Sequence, residues 1–282
     1  MSERDDFLAL VDASLRFDYQ AGSVNPVDDP FTTGWRVMDE ATCAHITGGR
    51  FLIEVPGGER FEIDDGGGNC LRAGVKHRIT LLEGRDVVSR WSHARFTLLG
   101  NFDALSLFDV PVALSRPTAE AVGSINTDLW NLHKQPIATI ADVLRRKALG
   151  MRLLDELTRG RVFRPEGLDR LRAAERVGEV LTHIGENLHR PLPVSELART
   201  MALSPARFHS VFKDAIGSAP RDYVRVARMQ RARQLLLHAE LSVAEVAERV
   251  GFQDQFQFSR AFKQVVGISP LGYRQRAWAT AI

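Results

Sequence analysis

Two hydrophobic patterns divide this chain. Between about residues 35 and 100, short β-branched and aromatic runs alternate with polar residues: 50–55, 60–63, 77–82, 86–90 and 94–99. Gly48-Gly49, Gly57-Gly58 and Gly66-Gly67-Gly68 punctuate them. Runs of this length bounded by glycine predict strands and turns, and several in succession predict a small barrel or sandwich. The period then becomes helical. Val122, Ile125, Leu129 and Leu132 mark one stripe; Ile140, Val143, Leu144, Ala148, Leu149, Leu153 and Leu157 mark a second. Gln135-Pro136 between them predicts an antiparallel hairpin of helices over about 119–132 and 137–157. A further amphipathic helix is expected on Leu171, Ala174, Val177, Leu181, Ile184 and Leu188.

The last hundred residues repeat themselves. Val194-Ser-Glu-Leu-Ala-Arg-Thr-Met201 aligns with Val243-Ala-Glu-Val-Ala-Glu-Arg-Val250. Phe208, Phe212-Lys213, Gly217, Pro220 and Tyr223 recur fifty positions later as Phe258, Phe262-Lys263, Gly267, Pro270 and Tyr273. Two copies are too few for a solenoid, so the pattern describes a duplicated module. Each copy reads as a short helix, a sharp turn and a second helix. Ser204 is a good N-cap with Pro205 at the first helical position, and Gly251 suits a sharp turn. Between the copies, residues 220–239 predict a linker helix with an apolar side and a crowd of arginines.

Composition sharpens the division. The chain has 282 residues, 44% hydrophobic and 26% charged, with a formal net charge of +2. Residues 1–160 carry 18 Lys/Arg against 23 Asp/Glu; residues 161–282 carry 19 against 12. An arginine-rich second part suits a polyanion. Cys43 and Cys70 are too few for a disulfide framework. No apolar run reaches the roughly 18 residues of a membrane helix, and the start lacks a signal-peptide pattern. The expectation is a cytoplasmic protein.

A helix-turn-helix unit places its second helix in the major groove of double-stranded DNA. The outward positions expected to meet DNA are Arg207, His209, Ser210 and Lys213 in the first copy, and Gln255, Gln257, Arg260 and Lys263 in the second. Arginine and glutamine can each bond a base edge bidentately, whereas lysine suits phosphate. Phe256 also faces outward, and Ser210 stands where the second copy has Arg260.

Gly251-Phe252, Phe258-Ser259-Arg260-Ala261-Phe262-Lys263, Gly267-Ile268-Ser269-Pro270 and Tyr273-Arg274 resemble the signature of the AraC/XylS family of bacterial transcription regulators. Tyr223, Arg228-Met229, Ala232 and Leu235-Leu236 agree with it. The resemblance covers about residues 170–276 and implies two helix-turn-helix units entering successive major grooves. Two residues depart from the pattern: Phe256 replaces a small polar residue, and Ser210 stands where arginine is frequent. The strand-rich half is similar to the cupin-like sensor domain that often precedes such a DNA-binding domain, which implies a small-molecule effector and a homodimer formed through the helical hairpin. The alternative for the hairpin is that it only closes its own domain.

Residues 1–160 are therefore expected to form a cupin-like β-barrel with a helical hairpin, for effector binding and dimerisation. A linker at 161–169 would follow, then an all-α domain at 170–282 in which a linker helix joins the two helix-turn-helix units; the fold class is α+β. Candidate effector residues are His45, Arg50, His77, Arg78, Arg90, Trp91 and His93, each alternatively a structural residue of the barrel. Trp91 could stack on a sugar ring, and the arginines could hold a carboxylate of a small acid. No catalytic residue, metal or cofactor is expected. RNA polymerase is a further partner of a regulator. Two rivals stay open: a cupin metalloenzyme fused to a DNA-binding domain, using His45, His77 and His93 with Glu54 or Glu62, and an effector-independent regulator whose barrel only dimerises.

Overall fold

A computed structural model describes residues 3–99, 102–134, 139–237 and 240–279. The elements run α1 (Glu3–Ser14), β1 (Arg16–Pro26), β2 (Arg36–Val37), β3 (Ala41–Glu54), β4 (Arg60–Ile63), β5 (Gly68–Leu71), β6 (Lys76–Leu98), β7 (Phe102–Asp103), a 3-10 turn (Ala104–Leu107) and β8 (Ala113–Leu114). Helices follow: α2 (Arg116–His133), α3 (Ile140–Thr158), α4 (Pro165–Arg176), α5 (Gly178–Glu186), α6 (Val194–Thr200), α7 (Pro205–Ile216), α8 (Pro220–Leu236), α9 (Val243–Arg249), α10 (Gln255–Val266) and α11 (Pro270–Ala279). The chain divides into two compact units, Met1–Leu98 with Asp103–Gly167, and Leu99–Phe102 with Leu168–Ile282.

The first unit is an antiparallel sheet in the order β1-β6-β3-β5-β8, an open path whose ends do not pair. Its middle is one long ribbon. The runs at 77–82, 86–90 and 94–99, expected as separate strands, join into the 23 residues of β6 and pair along most of β3. Gly48-Gly49, expected as a turn, is instead an irregularity inside β3, where the register slips between Thr47 and Gly49. Gly48 has φ +82°, and a Cβ there would lie 2.7 Å from the Arg85 carbonyl oxygen. A Cβ on Gly84 would lie 2.4 Å from Val87 Cγ2. Glycines on both strands thus let the ribbon continue where any larger residue would end it. Ile46, Phe51, Ile53, Ile63, Leu71, Ile79, Leu81 and Val87 form a core on this sheet. Strand β1 went unread in the sequence because its side chains do not alternate; only Phe17 and Gly22 are buried.

Helix α2 lies against one face of the sheet. Gly123 makes this possible, because a Cβ there would sit 2.3 Å from His45 Nδ1. The fully buried Asn126 pins the contact: its amide donates to the carbonyls of Cys43 and Arg90, both at 3.0 Å, and its oxygen accepts from Ser92 Oγ at 2.7 Å. The expected stripe on α2 is the buried one, through Val122, Ile125 and Leu129. The stripe on α3 splits: Leu153 and Leu157 are buried, whereas Ile140 and Leu144 are 80% and 60% exposed. Gly150 is the close-approach point, against the ring of Phe17. The hairpin's expected joint at Gln135-Pro136 lies outside the described residues.

The single helix expected over 171–188 is two helices. α4 ends at Arg176, Val177 leaves helical geometry (φ −107°, ψ 10°), and α5 starts at Gly178. Breaking the helix re-aims its apolar side, so Val177, Val180, Leu181 and Ile184 all reach one core with Leu197, Phe208 and Phe212. The α4 start at Pro165 also makes helix of residues expected as linker.

Candidate nucleic-acid interface

The second unit is built twice from the same parts. In the first copy, α6 and α7 pack through Leu197, Ala198, Phe208 and Phe212; in the second, α9 and α10 pack through Val246, Ala247, Phe258 and Phe262. The aromatic stacks are near-superimposable in their dimensions. Ring centroids of Phe208 and Phe212 are 5.5 Å apart and those of Phe258 and Phe262 5.6 Å. Phe212 meets Tyr223 edge-on at 5.5 Å, and Phe262 meets Tyr273 at 5.7 Å. Such pairs add directional preference to the burial of large apolar area, so each fixes the roll of its helix. Residues on the opposite side are thereby fixed toward solvent.

Caps fix where each outward helix begins and ends. Ser204 Oγ accepts from the Arg207 amide, and the Asp254 carboxylate accepts from the amides of Phe256 (2.9 Å) and Gln257 (3.1 Å). Both helices stop at a left-handed glycine, Gly217 (φ 81°) and Gly267 (φ 87°), whose amides donate to Lys213 and Lys263 carbonyls. Arg207, His209, Ser210 and Lys213 are all exposed on α7; Gln255, Gln257, Arg260 and Lys263 are all exposed on α10. Each candidate set therefore shares one helix, with its backbone held and its polar ends in solvent. An open groove of about 530 Å³ lies among Phe256, Ser259, Arg260, Lys263 and Ser269.

The two faces differ in charge. Ser210 Oγ donates to Asp214 at 3.4 Å one turn on. The matching row on α10 carries Arg260 and Gln264. A carboxylate on the first face repels phosphate where the second face attracts it.

Helix α8 joins the copies and contributes to both cores, with Tyr223 and Val224 in one and Met229, Ala232, Leu235 and Leu236 in the other. Arg228 holds the joint. Its Nε donates to the Leu188 carbonyl at 3.1 Å and its Nη2 to the Arg190 carbonyl at 2.7 Å, while the guanidinium sits 5.7 Å from the centre of the Phe252 ring. A Cβ on Gly251 would lie 2.5 Å from the same Leu188 oxygen and 2.7 Å from Arg228 Nη2. Three segments thus converge: the end of the first core's α5, the linker helix, and the turn of the second copy. Burial lowers the Arg228 pKa. Arg274, also buried, donates to the carbonyls of Leu236 (3.0 Å) and Leu241 (2.6 Å) and so ties α11 to the α8–α9 connection. The sequence places Arg228 among the arginines that crowd the linker helix and Arg274 beside Tyr273, without marking either as a buried donor. Their signal in the sequence is the family resemblance that both residues help to carry, which does not say what either side chain bonds.

A second network braces the first copy. Arg190 donates from both Nη atoms to the Glu196 carboxylate, at 2.6 and 3.0 Å, and the His183 ring reaches the same carboxylate at 2.9 Å. Hydrogen bonds from Arg190 and then His183 pull the Glu196 pKa down to about 2.

The seven candidate effector residues fall into separate places. His45 and Arg90 are cross-strand partners on the α2-covered face. His45 is buried with no hydrogen-bond partner for either ring nitrogen among the described residues, and burial lowers its pKa. Arg90 donates to Thr47 Oγ1 at 3.1 Å. Trp91 and His93 meet at a tilt of 47° on the opposite face, with centroids 4.8 Å apart, and the indole donates to Asn25 Oδ1 at 3.0 Å. His77 lies elsewhere, fully buried, with Nδ1 on the Val75 carbonyl and Nε2 accepting from Arg36 Nε. Both its nitrogens are occupied, and burial lowers its pKa. Arg50 pairs with Glu62 and Glu83, and Arg78 with Glu54. Among the described residues no group of three or more His, Cys, Asp or Glu side chains is placed to hold a metal ion, and no helix is long and apolar enough to cross a membrane.

Comparison with known proteins agrees with this geometry. Residues 197–276 match the family described as "Helix-turn-helix domain". The HTH-type transcriptional regulator GlxA of Rhizobium meliloti is 30% identical over 204 residues, 70% of this chain and 61% of that protein. The MmsAB operon regulatory protein of Pseudomonas aeruginosa is 38% identical over 94 residues, 33% of this chain and 31% of that protein. The chain spans between 31% and 61% of the length of these curated relatives. Apo ToxT from Vibrio cholerae strain SCE256 is 11% identical, with a TM-score of 0.51, covering 93% of this chain and 97% of that one; the likeness is one of fold, a sheet-bearing part followed by a helical helix-turn-helix part.

Proposed function

We propose that this protein is a sequence-specific DNA-binding transcription regulator of the AraC type, with no catalytic role. The observation that carries the reading is the duplicated, capped helix face: Arg207, His209 and Lys213 on α7, and Gln255, Gln257, Arg260 and Lys263 on α10, all exposed and presented from one braced unit. Arg260 reads guanine, Gln257 and Gln255 suit adenine, and Lys213 and Lys263 meet phosphate. The test is selection of bound sites from a random duplex library, followed by titration of Arg260→Ala. The variant is expected to lose about 1–3 kcal/mol and to relax choice at one base pair. Unchanged affinity and specificity would refute the assignment of α10.

The finer parts of the reading concern the first unit. The sheet is proposed to be a cupin-like sensor domain spanning residues 1–160, with the DNA-binding domain at 170–282. Its ligand, a sugar or small acid, would sit on the half-buried face of Trp91 and His93, because α2 occupies the other face. The exposed Ile140 and Leu144, one turn apart on α3, support a homodimer through the hairpin. An effector acts by binding one conformation better than another. Thermal stabilisation by a panel of sugars and small acids tests this, and loss of the shift in Trp91→Ala would support the face chosen. RNA polymerase is the natural partner of an activator, and the cytoplasm the compartment of both.

A further inference from the structure

Phe256 is out of place by the rules that explain its neighbours. The four phenylalanines that build the two copies, Phe208, Phe212, Phe258 and Phe262, are all fully buried. Phe256 is 77% exposed, in the first turn of α10. The protein supplies its own control for whether folding needs it. The equivalent position in the first copy is Ala206, and that copy forms the same capped helix and the same aromatic stack. The aromatic ring therefore belongs to what α10 meets. It is also held in place: the Asp254 carboxylate bonds the Phe256 amide, so the ring projects from a fixed backbone.

Its surroundings narrow the partner. Phe256 stands four residues before Arg260, and such residues are neighbours on one helix face. Both border the open groove that Lys263 and Ser259 complete. A ring one turn before a guanidinium and two turns before an ammonium suits a surface that presents an apolar knob beside acceptors and phosphates. In the major groove that knob is the C5-methyl of thymine, the one apolar group by which a base pair is identified there. One helical turn is 5.4 Å, and base pairs are 3.4 Å apart, so the thymine should lie one or two base pairs from the guanine of Arg260.

We propose that Phe256 is a specificity-determining residue that packs on a thymine methyl beside the Arg260 contact, adding an apolar base preference that the first copy, with Ala206, lacks. This rests on the DNA-reading function proposed above, and the experiment separates the two. The full chain and its Phe256→Ala variant are each used to select sites from a random duplex library. Each thymine of the wild-type site is then replaced by deoxyuridine, which removes the methyl and nothing else. Wild type should lose about fourfold in affinity at one thymine, the weight of one buried methyl, located one or two base pairs from the Arg260-dependent guanine. Phe256→Ala should bind thymine and uracil sites alike, select sites without that thymine, and melt with the wild type. If no deoxyuridine affects wild type, or if it costs both proteins equally, the inference about Phe256 is overturned while DNA reading stands. If no sequence is enriched at all, the DNA-reading function falls with it.

Discussion

Lys263 and Arg260 sit on the same helix, yet they should fail in different ways. Lys263→Ala is expected to weaken binding to all sequences about equally and to reduce the salt slope of log K by about one, if it holds the phosphate proposed for it. Arg260→Ala should change the preferred sequence. Titration at several salt concentrations on selected and scrambled duplexes distinguishes them. Glu196 offers a test independent of DNA. Its pKa is depressed to about 2 from 4.5 by Arg190 and His183. A depressed carboxylate contributes stability above its unfolded value, and that contribution is lost as pH falls from 4.5 through 2. Glu196→Gln should flatten the acid side of the stability curve of the second unit in that window, measured by chemical denaturation at stepped pH. The candidate DNA residues were legible from sequence because outward positions follow from the helical period once Phe208, Phe212, Phe258 and Phe262 are assigned inward. The effector candidates were chosen by residue type, and type does not say which strand face a side chain takes. His45 and Trp91 fell on opposite faces for that reason.

At the scale of elements, α8 is where the two copies become one object. Removing the Arg228 side chain leaves the Leu188 and Arg190 carbonyls without their donor and the Phe252 ring uncovered. Arg228→Ala should cost about 1–3 kcal/mol of stability, and should soften the spacing between the copies. Sites with one base pair inserted between the two contacted segments would then be penalised less than in wild type, as competition binding on a spacer series would show. Helix boundaries in this unit were readable from the sequence because each carries a chemical mark, as at Ser204-Pro205 and Gly217. The break at Val177-Gly178 carries a weaker mark, since a lone glycine inside an apolar stripe is tolerated in many helices. The long β6 was missed for the opposite reason. Paired glycines read as turns in a sequence, and only the pairing of Gly49 with Gly84 across two strands, beside the left-handed Gly48, reveals relief points in a continuous ribbon.

At the scale of the molecule, the two units should answer acid at different pH. His45, His77 and His133 all lie in the first unit, and burial lowers the pKa of each below 6.5. The unfolded chain then takes up protons that the folded unit refuses, so this unit loses stability as pH falls below about 6.5, toward the lowered folded values. In the second unit the contribution of Glu196 is lost only as pH falls below 4.5. Calorimetry at pH 7.5 and 5.5 should show the first unit's transition moving to lower temperature while the second holds. The joint made by Arg228, Leu188 and Gly251 has a consequence outside the protein. A reader whose two helices are fixed to one frame cannot stretch to follow a duplex. Any mismatch between that frame and the helical repeat must be taken up as curvature of the DNA, at a cost of order 1–6 kcal/mol that depends on how readily the intervening steps deform. Base pairs that no side chain touches would then help decide which sites are occupied.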